Sequence, residues 1–97
     1  MSSAQEKFIF QGKSDSEIFE AALKAVPLAG LEVWKKRELA RLVLAQGNVD
    51  GAEVRCNIAV SMVDGSTTIS AESEDHSEEK LRAIIAEIKL KLDISLA

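Results

Sequence analysis

The sequence has few of the side chains on which catalysis and metal binding depend. Its 97 residues include one cysteine, one histidine, one tryptophan and no tyrosine. A single cysteine excludes an internal disulfide bond and a zinc site built from several thiolates. The chain also has no glycine-rich phosphate loop and no motif that pairs a nucleophile with a base. We therefore expect a protein that is not an enzyme and that holds no cofactor and no metal.

The charge balance and the lack of long apolar runs limit the partners. The net charge is −4, which argues against general binding to nucleic acid or to an anionic membrane. No apolar run approaches the ~18 residues of a membrane span, and no basic-then-apolar leader opens the chain. We expect a cytoplasmic protein with neither a nucleic-acid nor a membrane partner.

The length suits one domain with one modest core. Residues 1–7 are small and polar, which is typical of a flexible N-terminal segment. Residues 8–97 would then form the domain. Phe8, Ile9 and Phe10 predict a short first strand at its start.

Two Asp-Gly dipeptides, Asp50-Gly51 and Asp64-Gly65, separate apolar, alternating runs. Asp-Gly in this setting is the signature of a two-residue type I′ hairpin turn. Between the two turns, residues 52–63 alternate regularly enough to predict a strand with one buried face. A strand of that length would span about 40 Å, which is long for a small domain. We therefore expect a bend or bulge near Ala59.

Capping motifs and periodicity predict one helix on either side of these strands. Ser14 and Glu17 form a capping box, and Pro27 predicts that the first helix ends near Ala25. Asp75 or Ser77 caps the second helix. An apolar stripe on this helix consists of Leu81, Ile84, Ile85, Ile88 and Leu92.

Residues 37–45 allow two interpretations. Leu39, Leu42 and Val43 have helical spacing, whereas Leu42 and Leu44 alternate as a strand does. We favour the strand, because hairpin turn residues and a strongly alternating run follow it. If the segment were helical, the sheet would lose a strand.

Together these elements predict an α+β fold, a single curved antiparallel sheet with two helices packed on one face, in the order β-α-β-β-β-β-α. This order resembles the topology of TATA-binding-protein-like and helix-grip domains. The resemblance covers the order of the elements and no motif, so it implies a fold and transfers no functional residue.

A basic and partly aromatic group of residues is a candidate interaction surface: Trp34, Lys36, Arg41 and Arg55. In one strand register Trp34 lies on the open face of the sheet, where it could anchor a protein partner. In the opposite register it lies in the core. The sequence leaves both registers open.

A second candidate site lies between the sheet and the second helix, lined by Ile58, Val60, Met62, Ile84, Ile88 and Leu92. Such a space could hold a small apolar or amphipathic ligand. Cys56 alternates with buried positions, so we expect an inert, buried thiol. His76 lies in an acidic segment, which we interpret as a helix-capping loop and not as a metal site.

We therefore expect a small non-enzymatic domain that acts through protein–protein contacts and that could form a homodimer. The polar face of the sheet suits a two-fold contact, since Glu53 and Arg55 carry opposite charges. A first strand at the edge of the sheet offers a further pairing site. The alternative function is a binding module for a small apolar ligand.

Overall fold

Alternating side chains on five antiparallel strands pack against two amphipathic helices in the computed structural model, which describes residues 1–97. The elements are β1 (Ser2–Phe8), α1 (Asp15–Leu28), β2 (Glu32–Arg37), β3 (Leu42–Val49), β4 (Ala52–Val60), β5 (Thr67–Ser73) and α2 (Glu78–Leu96). The strands lie side by side in the order β1-β5-β4-β3-β2. The predicted fold class and the predicted order β-α-β-β-β-β-α are confirmed.

The pattern of β4 determines which face of the sheet carries the helices. Val54, Cys56 and Ile58 are at most 1% exposed and belong to one core of 19 buried residues that includes side chains from both helices. Glu53 and Arg55 alternate with them and are exposed. Both helices therefore cover one face, and we call the other face the open face.

Helix α1 begins and ends with complete capping motifs. The Glu17 N–H donates to Ser14 Oγ, and the Ser14 N–H donates to Glu17 Oε1, each at 3.1 Å. At the other end the Leu31 N–H donates to the Val26 carbonyl at 3.1 Å, and Gly30 has a positive φ of 84°. These two features define a Schellman motif, in which glycine takes the left-handed conformation at low cost.

The predicted end of α1 near Ala25 is a few residues too early. The helix continues through Pro27 to Leu28. Proline is costly in a helix interior, where it removes a hydrogen bond and its ring collides with the preceding turn. Pro27 lies in the last turn, and the Schellman bonds beyond it stabilise the helix end.

The first strand differs from the prediction. β1 spans Ser2–Phe8, so most of the segment predicted to be flexible is strand, and residues 9 and 10 lie beyond it. Every residue of β1 has a partner on β5. Only Ala4 is buried, and this is why the strand has almost no hydrophobic signal in the sequence.

Only one of the two Asp-Gly turns has the predicted form. Asp50 and Gly51 have φ values of 50° and 88°, which is the conformation of a type I′ turn. Gly65 also has a positive φ, but it lies in a wider loop, residues 61–66, and β4 ends at Val60. Because β4 is shorter than predicted, it needs no bend, and its pairing runs through Ala59 without a shift.

The segment with two interpretations is a loop followed by a strand. Residues 38–41 form the turn between β2 and β3, and β3 begins at Leu42. The strand interpretation is confirmed for residues 42–45, which pair with β4 on one side and β2 on the other, and is wrong for residues 38–41. Neither helix of the protein is long and apolar enough to cross a membrane.

Candidate interaction surfaces

The sheet has two edge strands, β1 and β2. β1 pairs with β5 from Ser2 opposite Ser73 to Phe8 opposite Thr67, without a register shift. It contains neither a proline nor a bulge. Its outer side therefore presents a regular row of free backbone N–H and C=O groups, which another strand can pair with.

Helix α2 lies over β1 and β5 and borders this edge. One flank of the helix forms a shallow groove with β1, in which Ala86, Lys89 and Leu90 lie beside Glu6 and Phe8. Leu90 is 50% exposed, and Lys89 Nζ lies 5.7 Å from the centroid of the Phe8 ring. The β1 edge thus continues into a partly apolar strip on the helix side of the sheet.

The β2 edge has a different construction. Its pairing with β3 shifts between Val33 and Lys35, so that Trp34 lies at a β-bulge. Four of its six residues are charged. Bulges and charged side chains are the features that protect an edge strand from pairing. Trp34 is 53% exposed and lies outside the core.

Arg41, predicted to lie on the interaction surface, makes its contacts within the protein. Its Nε donates to Asp15 Oδ2 at 2.8 Å, and its guanidinium carbon lies 5.9 Å from the centroid of the Phe19 ring. Its Nη1 donates to the Glu38 carbonyl at 2.6 Å. Arg41 therefore ties the β2–β3 loop to the start of α1.

The four residues of the predicted surface do not form one cluster. Trp34 and Lys36 share the β2 edge, where Lys36 pairs with Val43. Arg55 lies on the open face of β4 and forms an exposed ion pair with Glu53 at 3.4 Å. The run of cations that begins beside Trp34 could be found from the sequence. The sequence also predicts a pairing site on a first strand at the edge of the sheet, but it places this strand at residues 8–10, because residues 2–7 carry no large apolar side chain.

Three loops meet at one end of the sheet, which we call the loop end: residues 9–14, 38–41 and 61–66. The Val60 N–H donates to the Arg41 carbonyl at 3.0 Å and joins the last two loops. Leu39 and Val63, at the tips of these loops, are 90% and 96% exposed. Apolar side chains so exposed mark a surface that is suited to a contact.

The opposite end of the sheet is held together by hydrogen bonds around Ser73. Its hydroxyl donates to the Glu53 carbonyl at 2.7 Å and accepts from the N–H groups of Asp75 and His76. His76 Nε2 lies 2.7 Å from the Val49 carbonyl oxygen, which can only accept. His76 therefore donates and fastens the β5–α2 loop to the β3–β4 turn.

This end is also acidic. Lys80 Nζ lies 2.5 Å from Asp50 Oδ2, and the lysine holds the pKa of Asp50 below its ordinary value. No group of three or more histidine, cysteine, aspartate or glutamate side chains is arranged to hold a metal ion. Of the two predicted caps of α2, Asp75 and Ser77, Ser77 is the N-cap, and its hydroxyl accepts from the Lys80 N–H.

The residues predicted to line a ligand site are mostly core residues. Ile58, Ile84, Ile88 and Leu92 belong to the core cluster, and Val60 is buried as well. Met62 is exposed in the β4–β5 loop, away from the other five. Ligand binding between the sheet and α2 stays a prediction.

Cys56 lies in the middle of the helix-covered face, at 1% exposure. Burial raises the pKa of its thiol to about 12. Because the thiolate is the reactive form, this thiol is inert at neutral pH.

Comparison with known proteins gives no match: no family model matches the chain, and no curated protein shows significant sequence similarity to it.

Proposed function

We propose that this protein is a small non-enzymatic domain that acts through protein contacts and pairs with a second copy of itself along β1. One observation carries the proposal: β1 is an unprotected edge strand, fully paired with β5 on its inner side. A second β1 strand, antiparallel to the first about a two-fold axis, would join the two sheets into one.

The charges along the β1 edge favour such a pair. In a register centred on Gln5, Lys7 of one protomer lies opposite Ser3 of the other. Glu72 is the neighbour of Ser3 on β5. Lys7 and Glu72 would then lie about two strand spacings apart, roughly 10 Å between Cα atoms. An extended lysine and glutamate can span this distance across a small serine.

The position of α2 also favours the pairing of two β1 strands. The helix lies over β1 and β5, so a two-fold axis beside β1 would place two copies of α2 next to each other at about 10 Å. Helices that pack directly have axes ~8–10 Å apart. Ala86 and Leu90 lie on the flank that would meet the partner helix, and a small and a larger apolar side chain suit that contact.

The test is the oligomeric state of the natural chain and two lysine variants, measured by native mass spectrometry and light scattering. Gln5→Lys would place two like charges opposite each other on the axis, so we expect it to yield monomers. Asn57→Lys is the matched control, because Asn57 lies in the same cross-strand row as Gln5 but in the middle of the open face.

We expect the natural chain and Asn57→Lys to be dimers. A monomeric natural chain at micromolar concentration would contradict the proposal. If Asn57→Lys dissociates the dimer and Gln5→Lys does not, the contact lies between the two open faces and not along β1.

A further inference from the structure

The cations of this protein fall into two groups, one paired with acids and one free. Six of its 12 lysines and arginines form ion pairs. Lys35, Lys36 and Arg37 supply three of the other six, in consecutive positions on the β2 edge, and all three are exposed. Lys36 lies opposite the buried Val43, on the helix-covered side of this edge strand, and Lys35 and Arg37 lie on the open-face side, so the edge is positive on both sides and can attract a negatively charged partner.

Exposed apolar side chains surround these cations. Trp34 precedes them at the bulge, and Leu39 follows at the tip of the β2–β3 loop. Val63 lies on the β4–β5 loop. Val60, the last residue of β4 before this loop, donates its N–H to the Arg41 carbonyl in the β2–β3 loop. We call this group the β2-tip surface: Trp34, Lys35, Lys36, Arg37, Leu39 and Val63.

Seven of the 16 acids of the chain lie at the other end of the sheet, whereas residues 34–39 and 61–66 carry two, Glu38 and Asp64. The β3–β4 turn, the β5–α2 loop and the adjoining residues carry Asp50, Glu53, Glu72, Glu74, Asp75, Glu78 and Glu79. The net charge of −4 therefore does not describe the surface around β2. A negatively charged plane would attract the β2 tip and repel the far end, so that the molecule would be oriented by its own charge distribution.

We propose that the β2-tip surface binds an anionic phospholipid surface. Lysine and arginine side chains are attracted to anionic headgroups, and tryptophan is favoured at the headgroup level of a bilayer. Leu39 and Val63 would insert shallowly beside them, as the apolar side of an interfacial segment does.

The shape of the site favours a lipid surface over an acidic protein. Leu39 and Val63 project from two loop tips at 90% and 96% exposure, so they present knobs and not a groove. A protein partner would need two pockets that match these two side chains. A bilayer takes up projecting apolar side chains without a preformed pocket.

Trp34 is the only tryptophan, which makes its fluorescence a direct reporter of this surface. The 97-residue chain is titrated with vesicles of phosphatidylcholine alone and of phosphatidylcholine with phosphatidylserine, and co-sedimentation is measured in parallel. We expect a blue shift of Trp34 emission and co-sedimentation with the anionic vesicles only. Both responses should be lost at about 1 M salt, where the screening length is only about 3 Å.

Variants that keep Trp34 separate the charges from the apolar tips. Lys36→Glu should reduce vesicle binding severalfold, and the triple variant Lys35→Glu, Lys36→Glu, Arg37→Glu should abolish it. Lys24→Glu is the matched control, an exposed and unpaired lysine on α1, and should bind as the natural chain does. Leu39→Ser with Val63→Ser should weaken binding, whereas Leu28→Ser, at an exposed site on α1, should not.

Three results would overturn the proposal. The first is no Trp34 shift and no co-sedimentation with anionic vesicles, while circular dichroism shows a folded protein. The second is binding that the triple variant does not reduce. The third is a Trp34 response to poly-L-glutamate but not to vesicles, which would assign the surface to an acidic protein segment.

Discussion

The two edges of the sheet differ in the features that control strand pairing. β1 is straight, fully paired on its inner side, and contains two charged residues among seven, Glu6 and Lys7. β2 has a bulge at Trp34 and four charged residues among six. Edge strands that carry a bulge and charges resist the addition of another strand. The protein therefore protects one edge and leaves the other available, and we assign pairing to β1 and a charged surface contact to β2.

The packing next to the two edges also differs. α2 packs over the face of β1 and β5 beside the free β1 edge, and its flank adds apolar side chains to the groove. At the β2 edge the backbone of β3 packs closely against Leu31, the residue before β2, and Gly47 on β3 leaves the room for this contact.

Gly47→Ala should destabilise the β2 side more than any surface change. A Cβ atom at position 47 would lie 2.7 Å from Leu31 Cδ2 and 3.3 Å from Leu31 Cα. Leu31 is buried, so its side chain has little room to move. We expect a loss of about 1–3 kcal/mol in the free energy of unfolding, as is typical of overpacking, measured by urea denaturation.

The neighbouring residue Asn48 is the control for this prediction. It is exposed, and Asn48→Ala should change the free energy of unfolding by less than about 0.5 kcal/mol. A Gly47→Ala variant as stable as the natural chain would mean that the β2 side adjusts freely, and that the contrast between the two edges is smaller than we infer.

The elements that the sequence predicts well are those that short-range chemistry determines. The Asp50-Gly51 turn, the Ser14–Glu17 capping box and the stripe on α2 each depend on residues a few positions apart. The prediction of a two-residue type I′ turn at Asp64-Gly65 is wrong, although the dipeptide is the same as at Asp50-Gly51. There, the Ser61 N–H donates to the Ser66 carbonyl at 2.8 Å and closes a wider loop.

The bounds of β1 and the bulge in β2 could not be predicted, because they depend on contacts between distant parts of the chain. Ala4 is the only buried residue of β1, and its partner on β5 is Ala71. The bulge at Trp34 is visible only in the register against β3. Of the predicted surface, Trp34 and Lys36 lie together. The environment of Arg41 was missed because its partner Asp15 lies 26 positions away.

Asp15→Asn should weaken the attachment of the β2–β3 loop to α1. The Asp15–Arg41 pair is partly buried, with side chains 29% and 23% exposed. We expect a loss of about 1 kcal/mol in the free energy of unfolding, more than an exposed pair contributes. Glu78→Gln, which breaks the exposed pair with Arg82, should cost only about 0.3 kcal/mol. Equal losses in the two variants would remove the structural role that we assign to Arg41.

Charge reversal at Lys7 and Glu72 tests the register of the proposed β1 pair. Lys7→Glu and Glu72→Lys should each weaken dimerisation about two- to fivefold, as expected for exposed ion pairs. The double variant restores opposite charges and should regain part of the loss. The measurement is the dimer dissociation constant by analytical ultracentrifugation. Additive losses in the double variant would exclude the register centred on Gln5, while leaving pairing along β1 intact.

The smallest effect is expected for the ion pair that joins α2, the helix that packs over β1 and β5, to the β3–β4 turn. Lys80 lowers the pKa of the exposed Asp50 carboxylate in the folded protein. A lowered folded-state pKa contributes stability above the ordinary aspartate pKa of about 3.9, and this contribution is lost as the pH falls through the folded-state value. Asp50→Asn should therefore lower the melting temperature slightly at neutral pH. The two proteins should converge once the pH is below the folded-state pKa of Asp50. A constant difference across the acid range would mean that Asp50 stabilises the turn through its conformation, with φ at 50°, and not through its charge.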